Sequence, residues 1–376
     1  MTATQTIEAR TAQAAKPGSA RFEVNVSRGF ETWLASQNAS IAITTYQVGK
    51  VILFGIEGDG RGKDKLWTYN RNIGRCLGMA SAPDAAGGKP RHLWISSETQ
   101  LYRFTDVLED GASAVKVGDA LYMPRMSYFT GDLDAHDIGI DGEGQPVFVN
   151  TLFNCLARPS ADHSFVPVWK PDFVSALVAE DRCHLNGLAM RDGKPAFATA
   201  VSATDTYDAW RDGRRDKGIV MDVATSEIVC EGLSMPHSPR WHDGKLWLHN
   251  SGKGEFGYVD LDGKSFVPVA FCPGYLRGLA FIGDVAVAGL SLQRHNKTFS
   301  GLALDGELEK RGISPRAGLY FIDTKTGTIL HTINFEGLVT ELYDVVALPG
   351  IRQPAMIGPT SEELKRTLSV GPNANL

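Results

Sequence analysis

Short runs of β-branched and aromatic residues, separated by glycine-rich turns, dominate the pattern of hydrophobic and polar positions along the chain. In the N-terminal part these runs are Ser40–Tyr46, Val51–Ile56 and Leu66–Tyr69. Runs of this length and composition that end at turn residues are typical of β-strands. Helical spacing is found in two short segments, Arg28–Asn38 and Glu362–Thr367. The pattern therefore predicts an all-β protein.

A polar stretch that leads to a histidine and then to a short apolar run occurs three times. His184 has this place in Asp181–Ala189, and His136 and His237 have it in two further segments. The intervals of 48 and 53 residues match the period of a four-stranded propeller blade. We therefore expect the three histidines at the same point of three consecutive blades.

The pattern that follows His184 recurs more weakly three more times, with Arg75, Tyr275 and Glu341 in place of the histidine. Six units then begin at residues 75, 136, 184, 237, 275 and 341. The sequence predicts a six-bladed β-propeller in which the N-terminal strands join the last unit, near residues 341–358, and close the ring. Seven blades are the open alternative, because the N-terminal strands could form a blade of their own. A two-sheet sandwich would not explain the repeated histidine.

Length and composition agree with one radial domain. The chain of 376 residues exceeds the roughly 250–300 residues at which a single core stops growing, whereas a propeller divides its core among blades. We expect a disordered lead-in at 1–20, a propeller domain at 21–365 and a C-terminal tail at 366–376. A polar insertion lies at Asp205–Lys217, and the longer insertion Gln293–Pro315 is predicted to cover one face as a lid or partner surface.

Charge and motifs exclude several classes of protein. The net charge is −5 and no run of lysine and arginine occurs, so a nucleic-acid partner is not expected. Five cysteines lie far apart without a C-x-x-C pair, which favours reduced thiols and a cytoplasmic location. Residues 1–20 lack the apolar core of a signal peptide, and no apolar run approaches the length of a membrane span. Nucleotide-binding and serine-hydrolase motifs are absent from the sequence.

In a propeller the inner strands run down a central channel, so equivalent positions at their starts form a ring around the axis. His136, His184 and His237 would then converge from three adjacent blades. Three imidazoles on one side of a ring form a ligand set with open coordination positions, as in catalytic metal sites. Nitrogen ligands suit zinc, iron or copper, and the sequence does not separate these metals.

Three further residues are candidates for catalysis. Glu341 and Tyr275 would stand opposite the histidines. The Glu341 carboxylate can serve as a fourth metal ligand, as a hydrogen-bond partner of a metal ligand or as a general base, and the Tyr275 phenol can move a proton. Arg277, two residues beyond Tyr275, is expected to face the channel and to hold a substrate carboxylate with two hydrogen bonds.

Two arginines, Arg75 and Arg240, are the candidate substrate-binding residues. Asp137 and Asp344 are expected to orient the histidines through the ring nitrogen that does not bind metal.

The segments 133–138, 181–187 and 235–247 resemble a bacterial family known only as a domain of unknown function, and the resemblance covers about residues 28–365. More distantly, the architecture is similar to six-bladed propeller enzymes such as the senescence-marker lactonases, the streptogramin lyases and the peptide-amidating lyase. The amidating lyase holds zinc on three histidines near the axis, whereas the lactonases bind calcium through carboxylate and asparagine ligands. Histidine at the starts of the repeats departs from the lactonase pattern and implies a transition metal instead of calcium.

These observations predict a metal-dependent enzyme that acts on a small molecule or peptide. Zinc would support hydrolysis or elimination, and iron or copper would support oxidation by O₂. The alternative is a non-catalytic propeller whose exposed loops dock a protein partner.

Overall fold

The computed structural model describes residues 3–5, 22–58, 63–82, 88–108, 118–292 and 300–369. These residues form six small sheets with few helical segments between them. The N-terminal elements are β1 (Ala3–Gln5), β2 (Phe22–Val26), α1 (Phe30–Gln37), β3 (Ala39–Thr45), β4 (Lys50–Glu57) and β5 (Lys65–Asn72). The predicted strands and the predicted first helix are therefore confirmed in this region.

Three blades follow, each built from four consecutive antiparallel strands. Blade 1 contains β6 (Met79–Ala82), β7 (His92–Ser96), β8 (Gln100–Asp106) and β9 (Ala120–Phe129). Blade 2 contains β10 (Ala135–Ile140), β11 (Pro146–Asn150), β12 (Cys155–Arg158) and β13 (Val166–Trp169). Blade 3 contains β14 (Leu185–Arg191), β15 (Lys194–Ala200), β16 (Gly218–Asp222) and β17 (Ile228–Leu233), with the short helix α2 (Trp210–Gly213) between β15 and β16.

The remaining elements complete the ring. Blade 4 contains β18 (Pro236–His242), β19 (Lys245–Asn250), β20 (Glu255–Asp260) and β21 (Ser265–Phe271), with a 3₁₀ turn at Ser251–Lys253. Blade 5 contains β22 (Tyr275–Ile282), β23 (Val285–Ser291), β24 (Ala317–Asp323) and β25 (Ile329–Gly337), with α3 (Ala303–Arg311) between β23 and β24. The last elements are β26 (Val345–Pro349), β27 (Pro354–Met356) and a 3₁₀ turn at Glu362–Lys365, where the second helix was predicted.

Strands from both ends of the chain close the propeller. β26 pairs antiparallel with β3, so blade 6 consists of one C-terminal strand and the N-terminal strands β3, β4 and β5. The predicted closure is confirmed, and the seven-bladed alternative is wrong because these strands belong to the last blade. β2 pairs with β25 and β1 pairs with β2 on the outside of blade 5, whereas β27 pairs parallel with β9 on the outside of blade 1.

The hydrophobic core is radial, as a propeller requires. Six clusters of buried side chains lie at the six boundaries between neighbouring blades. The largest, between blades 5 and 6, also holds Phe30 and Leu34 of α1, which are fully buried. Each blade therefore depends on both of its neighbours for burial of its apolar surface.

The two insertions pack together at one end of the ring. Leu302, Leu304 and Leu308, in and beside α3, join Trp210 and Tyr275 in one apolar cluster. Nη2 of Arg214 donates a hydrogen bond of 3.2 Å to the carbonyl oxygen of Ser300. Residues 300–315 of the predicted lid thus lie beside the channel mouth, whereas residues 293–299 lie outside the described residues.

The predicted terminal segments are described only in part. Residues 3–5 of the predicted lead-in form β1, and the rest of residues 1–20 lies outside the described residues. The same holds for residues 370–376 of the predicted tail. In the described ranges no helix has the length and apolarity needed to cross a membrane.

A hydroxyl group at five of the six blade boundaries donates a hydrogen bond to the innermost strand of the next blade or to the residues just before that strand. We call these five hydrogen bonds the latches. They run from Thr44 to Leu77, Ser96 to Ala135, Thr151 to Leu185, Ser251 to Leu276 and Ser291 to Leu342, with oxygen–oxygen distances of 2.6 to 3.1 Å. At the boundary of blades 3 and 4 the corresponding residue is Val201, which has no hydroxyl group. The latches fix the position of each inner strand relative to its neighbour.

Loss of one latch should lower stability measurably. Ser291 is buried, donates to the Leu342 carbonyl and accepts a hydrogen bond of 2.9 Å from the Leu342 amide. Ser291→Ala leaves both backbone groups without a buried partner, so we expect the free energy of unfolding to fall by about 1–3 kcal/mol. Urea denaturation followed by circular dichroism measures this change. Ser265→Ala, at an exposed position of β21, is the control and should stay within about 0.5 kcal/mol.

Candidate functional site

The latches identify equivalent residues in the six inner strands. The residue that follows the latch acceptor points to the same level of the channel in each blade. Blade 4 fits the series because Pro236 faces Asn250 as Ala135 faces Asn150. We call the six equivalent residues the axial ring, and they are Gly78, His136, Asn186, His237, Arg277 and Tyr343.

His184 does not belong to the axial ring, so the prediction that three histidines share one position is wrong for this residue. His184 immediately precedes β14 with φ of 51°, as Asp134 precedes β10 with the same φ and Met235 precedes β18 with φ of 50°. It is therefore equivalent to Asp134 and Met235, two residues before the axial position. The repeated glycine misled the alignment, because Gly187 lies two residues after the start of its strand and Gly139 lies four.

The axial ring opens at one end into a cavity of about 170 Å³. The predicted site residues His136, His184 and Arg277 line this cavity. The other lining residues are Tyr46, Asp134, Asp181, Trp210, Arg211, Met235 and Tyr343. The cavity thus combines imidazole, carboxylate, guanidinium and phenol groups near the axis.

A larger groove of about 510 Å³ lies at the other end of β18. Its charged groups already have contacts within the protein, since Nζ of Lys325 binds Asp284 at 2.5 Å and Nζ of Lys245 lies 4.4 Å from the Tyr258 ring centroid. No residue of the axial ring lines it among the described residues. We therefore take the smaller channel cavity as the candidate site.

His136 and His184 lie against each other in the cavity, with ring centroids 4.9 Å apart in an edge-to-face arrangement. Nδ1 of His136 donates to the carbonyl oxygen of Asp134 at 2.8 Å and to the hydroxyl oxygen of Thr151 at 2.8 Å. The Thr151 hydroxyl proton is used in its latch, so the imidazole carries its proton on Nδ1 and a lone pair on Nε2. Burial lowers the pKa of His136 to about 4, and the ring is therefore neutral at pH 7.

His184 forms an aspartate–histidine dyad. Its Nδ1 donates to Oδ2 of Asp181 at 2.6 Å, and its backbone amide donates to Oδ1 of Asp181 at 3.0 Å. The indole of Trp210 stacks on the imidazole with a centroid distance of 4.1 Å. These contacts fix the ring and its tautomer, so Nε2 is the nitrogen available for chemistry.

His237 is held within the protein on both ring nitrogens. Nδ1 donates to the carbonyl oxygen of Met235 at 2.8 Å, and Nε2 accepts a hydrogen bond of 3.3 Å from the amide of Asn186. Within the residues that the structure describes, no group of three or more His, Cys, Asp or Glu side chains is close enough to hold a metal ion. The predicted three-histidine site is therefore not assembled in this structure. Binding of zinc, iron or copper stays a prediction.

Arg277 and Tyr343 are neighbours in the axial ring, and their polar atoms are available to a ligand. The Arg277 guanidinium carbon lies 4.7 Å from the Tyr343 ring centroid. Nε of Arg277 and the hydroxyl group of Tyr343 are buried and have no hydrogen-bond partner among the described residues. Burial raises the pKa of Tyr343 well above its usual value, so the phenol stays protonated and can donate. Buried donors of this kind are costly unless another group, such as a ligand, accepts from them.

The charge of Arg240 is already paired within the protein, and its role in substrate binding stays a prediction. Its Nη1 and Nη2 donate to the two carboxylate oxygens of Asp137 at 2.8 and 3.0 Å, and Nη2 also donates to Asp344 at 3.2 Å. Asp137 and Asp344 further accept from backbone amides of the inner strands. Asp137 and Asp344 therefore bind the Arg240 guanidinium and backbone amides. The expectation that these two carboxylates orient the histidines is wrong.

The other predicted site residues lie around the cavity and do not line it among the described residues. Tyr275 is buried beneath α3, with its ring 5.6 Å from that of His237. Arg75 pairs with Asp132 at the rim. Glu341 is half-buried at the level of Asp134 in blade 6. None of these three side chains lines the cavity among the described residues, so their roles as proton carrier, substrate ligand and general base stay predictions.

Several cavity residues were missed from the sequence. Asp181 stands three residues before His184, a spacing that a search for histidine partners would have found. Tyr343 follows Glu341 by two residues, just as Arg277 follows Tyr275, so the same offset that selected Arg277 also identifies Tyr343. Trp210 lies in an insertion and has no counterpart in the repeat.

The buried histidines should make stability depend on pH. The pKa of His136 falls from 6.5 to about 4 on folding, so between these values the unfolded chain binds a proton that the folded protein does not. Stability should therefore decrease as pH falls through this window, by roughly 3 kcal/mol for this residue. Urea titrations between pH 7 and pH 4 should show a smaller decrease for His136→Gln than for the unchanged protein. His163→Gln, at an exposed loop position, should leave the decrease as it is.

Comparison with solved structures finds distant similarities. A gluconolactonase from Xanthomonas campestris is 14% identical, with 78% of this chain and 84% of that chain covered and a TM-score of 0.44. A catalytically inactive variant of virginiamycin B lyase from Staphylococcus aureus with quinupristin is 11% identical, with 84% and 99% covered and a TM-score of 0.39. A chain of a nidogen/laminin complex is 10% identical, with 83% and 98% covered and a TM-score of 0.47.

The search of curated protein sequences gives no match. A family model described as "Domain of unknown function (DUF4915)" matches residues 28–357. This range is close to the residues 28–365 over which the resemblance was expected, and it contains all six inner strands. The chain therefore belongs to the family of the domain of unknown function DUF4915.

Proposed function

We propose that this protein is an enzyme that binds a small anionic molecule at the channel mouth and transfers a proton through His184. The observation that carries the proposal is the pair Arg277 and Tyr343, whose buried donors face a cavity and have no partner among the described residues. The His184–Asp181 dyad lines the same cavity. The anion-binding pair and the candidate base His184 thus line the same cavity of about 170 Å³.

The anion would be held first by charge. A guanidinium group forms two parallel hydrogen bonds with a carboxylate and carries a full positive charge. The aromatic faces of Tyr343 and Tyr275, 4.7 and 5.6 Å from the guanidinium carbon, fix the Arg277 side chain without using its N–H groups. Tyr343 would donate a second hydrogen bond to an oxygen of the same ligand.

The proton would be taken by Nε2 of His184. Asp181 accepts from Nδ1 at 2.6 Å and stabilises the imidazolium that forms when Nε2 accepts a proton. If the proton comes from a C–H group next to the substrate carbonyl, a group on the neighbouring carbon leaves as a C=C bond forms, which is elimination. If it comes from a water molecule, the water oxygen bonds to the substrate carbonyl carbon, the bond from that carbon to the leaving group breaks, and the leaving group takes the proton from His184, which is hydrolysis. Negative charge that develops on the substrate oxygen is then stabilised by Arg277 and by the phenol of Tyr343.

The predicted metal enzyme and the predicted docking platform remain distinct alternatives. No step of the present scheme passes through a metal ion. Elemental analysis of tag-free protein for zinc, iron and copper separates the first alternative from this proposal. A docking platform would bind no small carboxylate in the channel and would show no turnover.

Replacement of Arg277 should weaken anion binding. Charge-assisted hydrogen bonds contribute about 1.5–3 kcal/mol, so Arg277→Gln should bind propionate roughly tenfold to a hundredfold more weakly. Isothermal titration at constant ionic strength measures the dissociation constant. Arg191→Gln is the matched control, because Arg191 also lies on two aromatic rings, 5.1 and 5.0 Å from its guanidinium carbon, but outside the cavity. Equal weakening in both variants would point to a nonspecific charge effect and contradict the proposal.

Replacement of His184 should abolish most of the proton transfer. A panel of pyruvate, lactate, malate, alanine and aspartate in D₂O, followed by ¹H NMR, reports both loss of C–H signals and conversion to product. We expect at least one of these carboxylates to react, with a rate at least about a hundredfold lower in His184→Gln, since a general base contributes 10²–10⁴-fold. His163→Gln should keep the full rate. Retention of the rate in His184→Gln would show that another group is the base.

A further inference from the structure

Four charged side chains, besides the histidines, line the channel cavity: Asp134, Asp181, Arg211 and Arg277. Two of them are paired within the protein. Asp181 accepts from His184, and Nε of Arg211 donates to both carboxylate oxygens of Asp208 at 2.7 and 2.8 Å.

Asp134 and Arg277 are left without a paired charge among the described residues. Nε of Arg277 is buried and has no hydrogen-bond partner there. Oδ2 of Asp134 lies 3.6 Å from Nδ1 of His136, but that nitrogen already donates to the carbonyl oxygen of Asp134 and to the hydroxyl oxygen of Thr151, both at 2.8 Å. The Asp134 side chain is 40% exposed, toward the cavity that it lines.

These two opposite charges face each other across the channel. Asp134 immediately precedes the inner strand of blade 2, and Arg277 lies on the inner strand of blade 5. Two blades separate these blades on either side of the ring, so the residues stand on opposite walls. The two walls therefore present a carboxylate and a guanidinium group to the same cavity.

We infer that the ligand of this site is a small zwitterion, an α-amino acid or a close derivative, with its carboxylate on Arg277 and its ammonium group on Asp134. This assignment rests on the proposed function, because it uses the same anion anchor. An ammonium group offers three N–H donors, which suit a carboxylate that has no other strong donor. A simple carboxylic acid would leave Asp134 without an opposite charge in the complex.

The orientation of such a ligand agrees with the position of the base. His184 lies on blade 3, next to Asp134 of blade 2 and at the same level of the channel. A ligand that spans from Asp134 to Arg277 places its α-carbon between the two walls. We expect it on the side of His184 and His136, whose ring centroids are 4.9 Å apart. The α-proton, or a group on the β-carbon, would then face Nε2 of His184.

Matched pairs of ligands that differ only by the amino group test this inference. L-alanine with propionate, and L-aspartate with succinate, are titrated calorimetrically into the full-length protein at pH 7 and constant ionic strength. We expect at least one amino acid to bind about tenfold or more tightly than its partner acid. Asp134→Asn should reduce this preference to less than about threefold and leave the affinity for the acid unchanged.

Asp132→Asn is the matched control, because Asp132 is another carboxylate at the rim, two residues away, that is bound by Arg75. It should keep the preference for the amino acid. Equal affinity for acid and amino acid in the unchanged protein would overturn the zwitterion and leave the anion-binding enzyme standing. A preference that survives in Asp134→Asn would also overturn it. If neither kind of ligand binds in either pair, both the inference and the proposed function fail.

Discussion

The hydrogen bond from a hydroxyl group of one blade to the innermost strand of the next, or to the residues just before that strand, is the interaction on which the centre of this propeller depends. It is buried, it recurs at five boundaries, and its distances stay between 2.6 and 3.1 Å. Apolar packing between blades supplies most of the burial, but it allows neighbouring blades to slide. The hydroxyl groups remove this freedom, because a shifted strand would leave a buried carbonyl oxygen without a donor. The axial ring is a consequence of that constraint.

Two arginines near the axis show how differently one residue type can be used in the same channel. Arg240 binds Asp137 and Asp344 and contacts three inner strands, so its charge is neutralised within the protein. Arg277 stands on aromatic rings and keeps its N–H groups for another partner. The first arrangement closes the channel with a bonded cluster, and the second leaves a charge at its mouth. A ligand is therefore expected at the mouth, where α2 contributes Trp210 and Arg211 to the wall of the cavity.

The sequence predicted the fold well because the signals for it are local. Short β-branched and aromatic runs, the turn residues between them and a period near 50 residues are sufficient to indicate blades. The N-terminal strands that precede the first complete unit indicate how the ring closes. The site was predicted less well because its geometry depends on register. His136, His184 and Arg277 were found at the channel, but a two-residue offset at β14 separates His184 from the other histidines. Asp134 and Tyr343 reach the cavity because of the register of the inner strands, and Trp210 reaches it from an insertion. Composition reveals neither the register nor the fold of the insertion.

The same offset explains why blade 3 differs from its neighbours. In blades 2 and 4 the axial residue is a histidine, and the latch hydroxyl of Thr151 or Ser251 accepts from its Nδ1. Blade 3 has Asn186 in the axial ring and Val201 in place of the hydroxyl residue, so it has neither half of this pair. The histidine of blade 3, His184, lies one level further out. Its Nδ1 donates to the carboxylate of Asp181, whereas Nδ1 of His136 and of His237 donates to neutral oxygen atoms. A carboxylate stabilises a protonated imidazole, whereas a carbonyl or hydroxyl oxygen in a buried site favours the neutral ring. Among the three histidines of the repeat, His184 is the one whose Nδ1 donates to a carboxylate, which is the contact that the proposed base requires.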